Sequence, residues 1–575
     1  MIISIIYLFI EILSLRSVLQ VKHSDRHSSF VSWLPACIVF VMAFHAVWSG
    51  LLSLLGIELS LLSIGCGNLL LIQLCHFTVR NYGKQEYVYG ESDLCVLMLV
   101  FVAVILFGLI MFGPAFEIHF WSVDASAHCR MAQSVAIDHK ISNNLFFSAI
   151  NNGIAMLVLE PFVGVQYFYK VYIVMELFDF WLATTMFYGL LLLIKPKSNI
   201  LIRIVFTFCY AVGYPMYAII FGFSYFGASI TIVTACMFLM EANASETLKK
   251  TFFIIALNVL LFSLFVCYTY FVPIICATVF VYLFNVYLLN EGRISITKLI
   301  SEECKVFVFP VILGLIFSAS NISELGAGGG ITNEGGCYYD LYSNFVLLLF
   351  FSVYGFFSSR GFKQMLSIRI MTVFSLAFFA ALFVMFSHGK ASTYYLSKIY
   401  NLFWLEYFLL SYYAVITLKC NRSTIKKGIL TGLTLSFFSC IAENMTVRAE
   451  EKITLKGTIR FLVPEIYGFN ILGLCQDYVT DDYMQSLWIL KNNYEVSSDS
   501  VIAIGDEVKC GWFKTVFDEA DTISYEIKTL EDKIGHKTKY LFCIDSDIVF
   551  DKIKELEQKG IAIYRDEYLE LIELY

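Results

Sequence analysis

PAFEIHFWSVDASAHCRMAQSVAIDHKISN, residues 114 to 143, is a polar and aromatic interruption between two long apolar runs. It gathers Glu117, His119, Trp121, Asp124, His128, Arg130, Asp138 and His139. Its flanks decide what it is. The runs near 94–113 and 167–193 each supply the ~20 apolar residues that cross a bilayer, so the stretch is a connector at a membrane surface. Its core, VDASAHCRMAQSVA, predicts a short helix opened by Asp124 or Ser122 as cap. Asp124 and His128, four apart, then share one face. A charged connector is ordinarily only solvated, but this one is long and aromatic, and loops carry sites more often than cores do.

Composition extends the same reading to the whole chain. Of 575 residues 58% are hydrophobic and 15% charged, against ~25% charged in a soluble domain, and the mean hydropathy is +0.72. Aromatics reach 17%, with 54 Phe and 35 Tyr, as interfacial belts require. The first segment, MIISIIYLFIEILSL, has no basic leader and no small-residue cleavage site, which predicts a retained helix. Most of the 16 Cys lie inside apolar runs and act as small hydrophobes. No Cys/His spacing suits a metal. Cys129, Cys337, Cys475, Cys510 and Cys543 fall in extramembrane parts, where some pair could bridge.

Parsed at spanning length, the apolar runs begin near 1–19 and end near 428–442, giving ~12–14 spans. Basic residues then fall in alternate loops: Arg16, Lys22 and Arg26; Arg80 and Lys84; Lys195 and Lys197; Lys249 and Lys250; Arg293, Lys298 and Lys305; Arg360 and Lys363; and Lys419 to Lys427. The positive-inside rule sets those loops in the cytoplasm. Facing outward are residues 114–166, 221–226, 268–273, the Gly-rich loop 321–344, residues 388–399 and the C-terminal part.

Several outer segments carry chemistry. NLFFSAINNGIAMLVLEPFVG, broken by Asn151, Asn152, Gly153 and Pro161, reads as an amphipathic helix lying in the interface. HGKASTYYLSKIYNLFW sets His388, Lys390 and Lys398 among tyrosines, suited to headgroup snorkelling or to capture of a phosphate-bearing ligand. Within spans, Lys170, Glu176, Asp179 and Glu406 are candidates because a charge there is costly. Glu176 and Asp179, three apart, share a face; a structural ion pair is the plain alternative.

From Glu443 the character changes. That part holds 15 Lys and Arg against 26 Asp and Glu, while residues 1–442 carry 25 against 21. SVIAIGDE, KYLFCIDSD and IAIYRDEY read as strands, and DIVFDKIKELEQKG as an amphipathic helix closed by Gly560. The fold class expected is an α-helical polytopic membrane protein, residues 1–442, followed by an extracytoplasmic α/β domain, residues 443–575. Neither GxGxxG nor a Walker loop is present, and no charge pattern suits nucleic acid.

An outward carboxylate at the mouth of a helical bundle suits sugar transfer from a lipid-linked donor, since a base must take the acceptor's proton as phosphate leaves. Asp124 would be that base. His128 would orient it or bind phosphate, and Lys390 or Lys398 would neutralise the leaving charge. Glu117, Glu176 and Asp179 complete the candidate set.

The layout resembles the GT-C class of integral membrane glycosyltransferases: many spans, a large outer loop of short helices with an acidic residue, and an extracytoplasmic C-terminal domain. Asp124-x-x-x-His128 resembles the Asp-x-x-x-His signature of bacterial members, and GYPMYAIIFGFSYFG, Gly213 to Gly227, and GGCYYDLYSNF, Gly335 to Phe345, resemble stretches of similar Gram-positive membrane proteins. Two features depart from the class: the acidic loop follows about the fourth span instead of the first, and Asp124 stands without a second acidic residue in the motif. The resemblance implies a polyprenyl-phosphate-linked sugar as donor and a cell-envelope glycan or lipid as acceptor. A divalent metal serves some members and not others. The alternative function is a transporter or flippase for a lipid-linked or charged envelope precursor, pointed to by Glu176, Asp179 and Glu406; the paired broken helices of an inverted repeat are not evident.

Overall fold

A run that is apolar on every side can satisfy its backbone inside hydrocarbon only by coiling into a helix. The computed structural model describes residues 1–22, 28–120, 122–245, 248–291, 296–326, 332, 345–418, 427–437, 479–494, 500–504, 507–517, 521–524, 539–543 and 558–574. Trp121, Gly335 to Asn344, Cys475 and the segment DIVFDKIKELE lie outside the described residues.

The bundle opens with α1 (Ile2–Gln20), α2 (Phe30–Leu54), α3 (Leu61–Tyr82) and α4 (Glu91–Phe112). Two connector helices follow, α5 (Asp124–Ile137) and α6 (Phe147–Val163), and then α7 (Phe168–Ile194), α8 (Ile200–Ala211), α9 (Tyr214–Phe221) and α10 (Ser224–Ala244). The second half comprises α11 (Lys250–Phe265), α12 (Val272–Glu291), α13 (Ile296–Gly326), α14 (Leu347–Ser358), α15 (Leu366–Ser387), α16 (Thr393–Lys398) and α17 (Tyr400–Thr417). Among the described residues 10 helical segments are long and apolar enough to cross a membrane, and Phe147–Val163, Lys250–Phe265 and Leu347–Ser358 are shorter apolar helices. The protein is a polytopic helical membrane protein.

Burial sorts the helices into layers. In α10, 89% of the most apolar window is buried, against 22% in α1 and α15, so α10 is central and those two face lipid. Around α10 pack α7, α11 and α9, with α2 behind α7. Helices in lipid gain from close backbone approach at small residues. At Gly355 on α14 an added Cβ would meet the Leu410 carbonyl of α17 at 2.1 Å, and these two helices pack along their length.

The basic loops meet at one end. Strand β1 (Ser28–Ser29) pairs in parallel with β2 (Tyr87–Val88), and an isolated bridge joins Val21 to Lys84. Lys249 Nζ donates to the Tyr82 carbonyl at 3.4 Å, and Lys250 and Lys305 both reach Glu302, at 2.8 and 2.9 Å. Arg203 is buried there against Asp93 at 2.9 Å, with the Tyr188 hydroxyl on the same carboxylate oxygen.

Beyond the bundle come α18 (Asp481–Asn493) and α19 (Glu507–Val516) and a five-stranded mixed sheet in the order β4-β3-β5-β7-β6. Its strands are β3 (Ser500–Ile504), β4 (Asp521–Ser524), β5 (Lys539–Cys543), β6 (Gly560–Arg565) and β7 (Leu569–Leu574). The β3-α19-β4 unit is parallel, as is β3 with β5, whereas β7 runs antiparallel to β5 and β6. Three of the strands are those predicted; β4 and β7 are additional. Gly560 begins β6; the helix expected to close at it falls mostly outside the described residues.

Two expectations are corrected. The segment after Asn143 does not lie in the interface as a surface helix: α6 buries Phe147 to Ile154 and packs against α5, α7 and α2. Asn151 suits this burial because its amide donates to the carbonyls of Phe147 and Met42, at 2.9 and 3.4 Å. Lys170 does not pair with Glu176 or Asp179. It bonds Asp481 of α18 at 2.5 Å and donates to the Ala115 carbonyl at 2.9 Å.

Candidate active site

Four of the segments expected to face outward converge at the end opposite the basic loops. The first is the start of α5. Ser122 Oγ accepts the Asp124 amide at 3.0 Å just ahead of the helix, whose N-cap is Val123 and not Asp124 or Ser122 as expected. One turn on, His128 Nδ1 lies 2.9 Å from the Gly222 carbonyl. A carbonyl only accepts, so Nδ1 carries the proton and Nε2 keeps its lone pair.

Gly222, between α9 and α10, is what this contact demands. Its φ is +67° and ψ +33°, and an added Cβ would meet the Ala125 Cβ of α5 at 2.4 Å. A left-handed residue this close to another backbone must be glycine. The stretch from Gly213 to Gly227 thus forms the seat on which the Asp124 helix rests.

Next to it, the Tyr225 ring stands edge-on to His128, centroids 4.6 Å apart, and tilts against Tyr268 at 5.3 Å. Tyr268 brings in the segment before α12. The fourth segment is α16, whose N-terminal Ser392 Oγ accepts the Tyr395 amide, and whose Tyr395 carbonyl takes the Tyr270 hydroxyl at 2.6 Å. On its last turn Lys398 is buried, 5% exposed. The ammonium lies over the rings of Tyr394, Tyr395 and Tyr268 at 4.0, 4.4 and 5.1 Å, a cation–π arrangement.

The Lys398 ammonium makes no hydrogen bond or ion pair to any described residue, and neither does the Asp124 carboxylate. The two groups are nevertheless within each other's field, and the Asp124 charge also reaches His128 and Tyr225. Burial holds the His128 imidazole below its usual pKa, with the Asp124 carboxylate and the Gly222 carbonyl opposing. The arrangement is a free carboxylate, a neutral imidazole and a buried ammonium around an aromatic enclosure.

Glu176 and Asp179 lie beneath. They line a small cavity of about 20 Å³ together with Tyr210, Tyr214, Ser224, Asn401 and Trp404. Tyr172 and Ser224 flank the Glu176 carboxyl, yet neither of its oxygens completes a hydrogen bond of good geometry. The Tyr172 hydroxyl donates to the same Gly222 carbonyl at 3.4 Å, so the turn at Gly222 ties the two levels together. Glu117 sits apart, where its charge reaches Tyr169 beside Asp481. Lys390 is exposed on the turn before α16, and His388 donates to the Val384 carbonyl at 2.7 Å. Glu406 takes a hydrogen bond from Ser375 of α15 at 2.6 Å. Tyr225 and Tyr268 are the site residues that the sequence reading missed; their signal was their place in two predicted outer turns.

A divalent ion, as some members of the GT-C class use, would need several oxygen or imidazole donors at one point. Among the described residues no group of three or more His, Cys, Asp or Glu gathers to hold one. Cys129 and Cys510 are not bridged to each other.

The loop is backed by the C-terminal part. Ile118 and Val479 exchange backbone hydrogen bonds at 3.3 and 3.0 Å, Trp512 stacks on Phe120 at 6.4 Å, and the Tyr169 hydroxyl donates to Asp481 at 2.8 Å.

No protein-family model matches the chain, and no curated protein matches it. Among solved structures it is similar to ArnT from Cupriavidus metallidurans bound to undecaprenyl phosphate, at 10% identity and a TM-score of 0.44, over 83% of this chain and 97% of that one. A likeness of that size carries no part of the functional argument, which rests on the side chains gathered around Asp124.

Proposed function

We propose that the protein is a membrane glycosyltransferase that moves a sugar from a polyprenyl-phosphate-linked donor to a hydroxyl of a cell-envelope glycan or lipid, on the side of the bilayer away from the cytosol. The observation that carries this reading is the pair Asp124 and Lys398. One is a carboxylate without a partner, the other a buried ammonium without an acceptor, and they share a field without touching. Sugar transfer uses both charges and the space between them.

The acceptor oxygen attacks the anomeric carbon as the bond from that carbon to the phosphate oxygen breaks. The acceptor's proton passes to the Asp124 carboxylate. The electron pair of the broken bond leaves on the polyprenyl phosphate, whose added charge Lys398 neutralises. His128, with Nδ1 committed to Gly222, keeps the start of α5 in place and presents a neutral imidazole beside the base. The tyrosine rings offer apolar faces and hydroxyls to a sugar ring. The choice of a polyprenyl donor follows from the resemblance in layout to the GT-C class.

Asp124→Asn tests the reading in the purified full chain, reconstituted with a polyprenyl-phosphate sugar. Transfer is expected to fall by about 10²–10⁴-fold, the usual worth of a general base, with yield and Tm unchanged. Transfer near the wild-type rate would remove Asp124 as the base and the reading with it.

A further inference from the structure

A second polar group of residues lies inside the bundle, separate from the loop site and unused by it. His45 on α2 stands among Glu11 on α1, Asn68 on α3 and Asn151 on α6. Its Nε2 is 3.0 Å from Asn68 Oδ1 and 3.3 Å from Glu11 Oε2, and its Nδ1 is 3.4 Å from Asn151 Oδ1.

What the amide nitrogens do fixes both amides. Asn68 Nδ2 donates to Glu11 Oε2 at 2.5 Å and to the Tyr7 hydroxyl at 3.3 Å. Asn151 Nδ2 donates to two backbone carbonyls. Turning either amide over would set oxygen against oxygen. Both nitrogens of His45 therefore face acceptors, and only the imidazolium can donate from both. With the Glu11 carboxylate beside it, the group is charged within but neutral overall.

Against this group lies a cavity of about 460 Å³, walled by α1, α2, α6 and α7. A ligand cavity is usually ~300–1,000 Å³, so this one is of ligand size. Its walls are apolar apart from Tyr7, Glu11, His45 and Asn151. Leu8 and Ile12, at its rim, are 42% and 64% exposed on the outer face of α1, so it opens sideways to lipid. Among the four polar residues Glu11 is the accessible one, its side chain 29% exposed against 5% for His45.

We propose that this cavity binds a neutral lipid alcohol, its hydrocarbon chain lying along α1 and α6 and its hydroxyl donating to the Glu11 carboxylate. The length supports a chain: Tyr7 to Leu15 runs about 12 Å along α1 at 1.5 Å per residue. The accessible acceptor supports a donor head. The balanced charge supports a neutral one, because a phosphate would face Glu11 and an ammonium would unbalance His45. This site is independent of the glycosyltransferase reading.

The test uses the full chain in phosphatidylcholine nanodiscs with a diazirine-bearing long-chain alcohol as photoprobe. Labelling is expected to saturate and to map to residues 7–15, 38–45 and 151–159. Hexadecanol should compete about tenfold better than its methyl ether, which lacks the donor, and Glu11→Gln should erase that preference. Ile12→Trp, at an exposed rim position that leaves the fold intact, should cut labelling about tenfold with Tm unchanged. Equal competition by alcohol and ether in the wild type would overturn the proposal. So would labelling spread over the lipid-facing helices and indifferent to Ile12→Trp.

Discussion

Lys398 gives the clearest residue-level consequence. An ammonium that rests on three ring faces and donates to no oxygen is stabilised less than it would be in water, and a phosphate supplies what it lacks. Lys398→Met keeps the stem packed and removes the charge. It is expected to lower transfer about 10²–10³-fold, as loss of one preorganised charge-stabilising group does, with Tm equal to or above wild type; unchanged turnover in reconstituted vesicles would free Lys398 of any role in neutralising the leaving phosphate. His128 gives a pH signature. Burial lowers its folded pKa, so the unfolded chain takes up a proton near ~6.5 while the folded one waits for lower pH. Across that window the unfolded state binds more protons, and stability falls as pH drops through it. His128→Gln is expected to flatten the decline of Tm between about pH 7 and pH 5; an unchanged slope would show that another group causes it. Asp124 and His128 were legible in the sequence because charges break an apolar pattern. Tyr225 and Tyr268 were not, since in a chain with 35 tyrosines a ring in the site reads like a ring in the interfacial belt.

Among the elements, α5 depends on what backs it. At Gly511 on α19 an added Cβ would lie 2.4 Å from Ser126 Oγ, two residues from Asp124. Gly511→Ala should therefore push the start of α5, at an overpacking cost of about 1–3 kcal/mol, and lower transfer as well as Tm. Adding Ser126→Gly removes the opposing atom and is expected to restore both. Failure of that double variant to recover transfer would mean that Gly511 matters for its own helix alone. This contact joins residues far apart in sequence, and no periodicity announces such a pair. Lys170 is the same case: its hydrophobic neighbours marked it as out of place in a span, but its partner Asp481 lies 311 residues further along the chain. The helix after Asn143 was misplaced for a different reason. Asn151, Asn152 and Gly153 look like surface residues by composition, whereas Asn151 is satisfied inside by His45 and two carbonyls.

At the scale of the whole molecule, the membrane dictates run length, so the spans could be read from hydropathy, and the basic loops could be sorted by charge. The fold adds that the sorted loops meet physically. Lys84, Lys249, Lys250 and Lys305 gather at one end, and the segments holding Asp124, Gly222, Tyr268 and Lys398 gather at the other. The C-terminal part is fastened to the second end by the Ile118–Val479 bridge and by Lys170 to Asp481. Its side of the membrane is therefore tied to that of the loop, and two fusions test both at once. Alkaline phosphatase joined after Tyr575 is expected to be active, and the same enzyme inserted between Lys195 and Lys197 to be inactive, with a cytoplasmic fluorescent reporter giving the reverse pattern. If the fusion after Tyr575 signals from the cytosol, the positive-inside assignment fails for the entire bundle. Asp124 would then face the cytosol, where a donor presented on the outer leaflet cannot reach it, and the proposed reaction would lose its substrate.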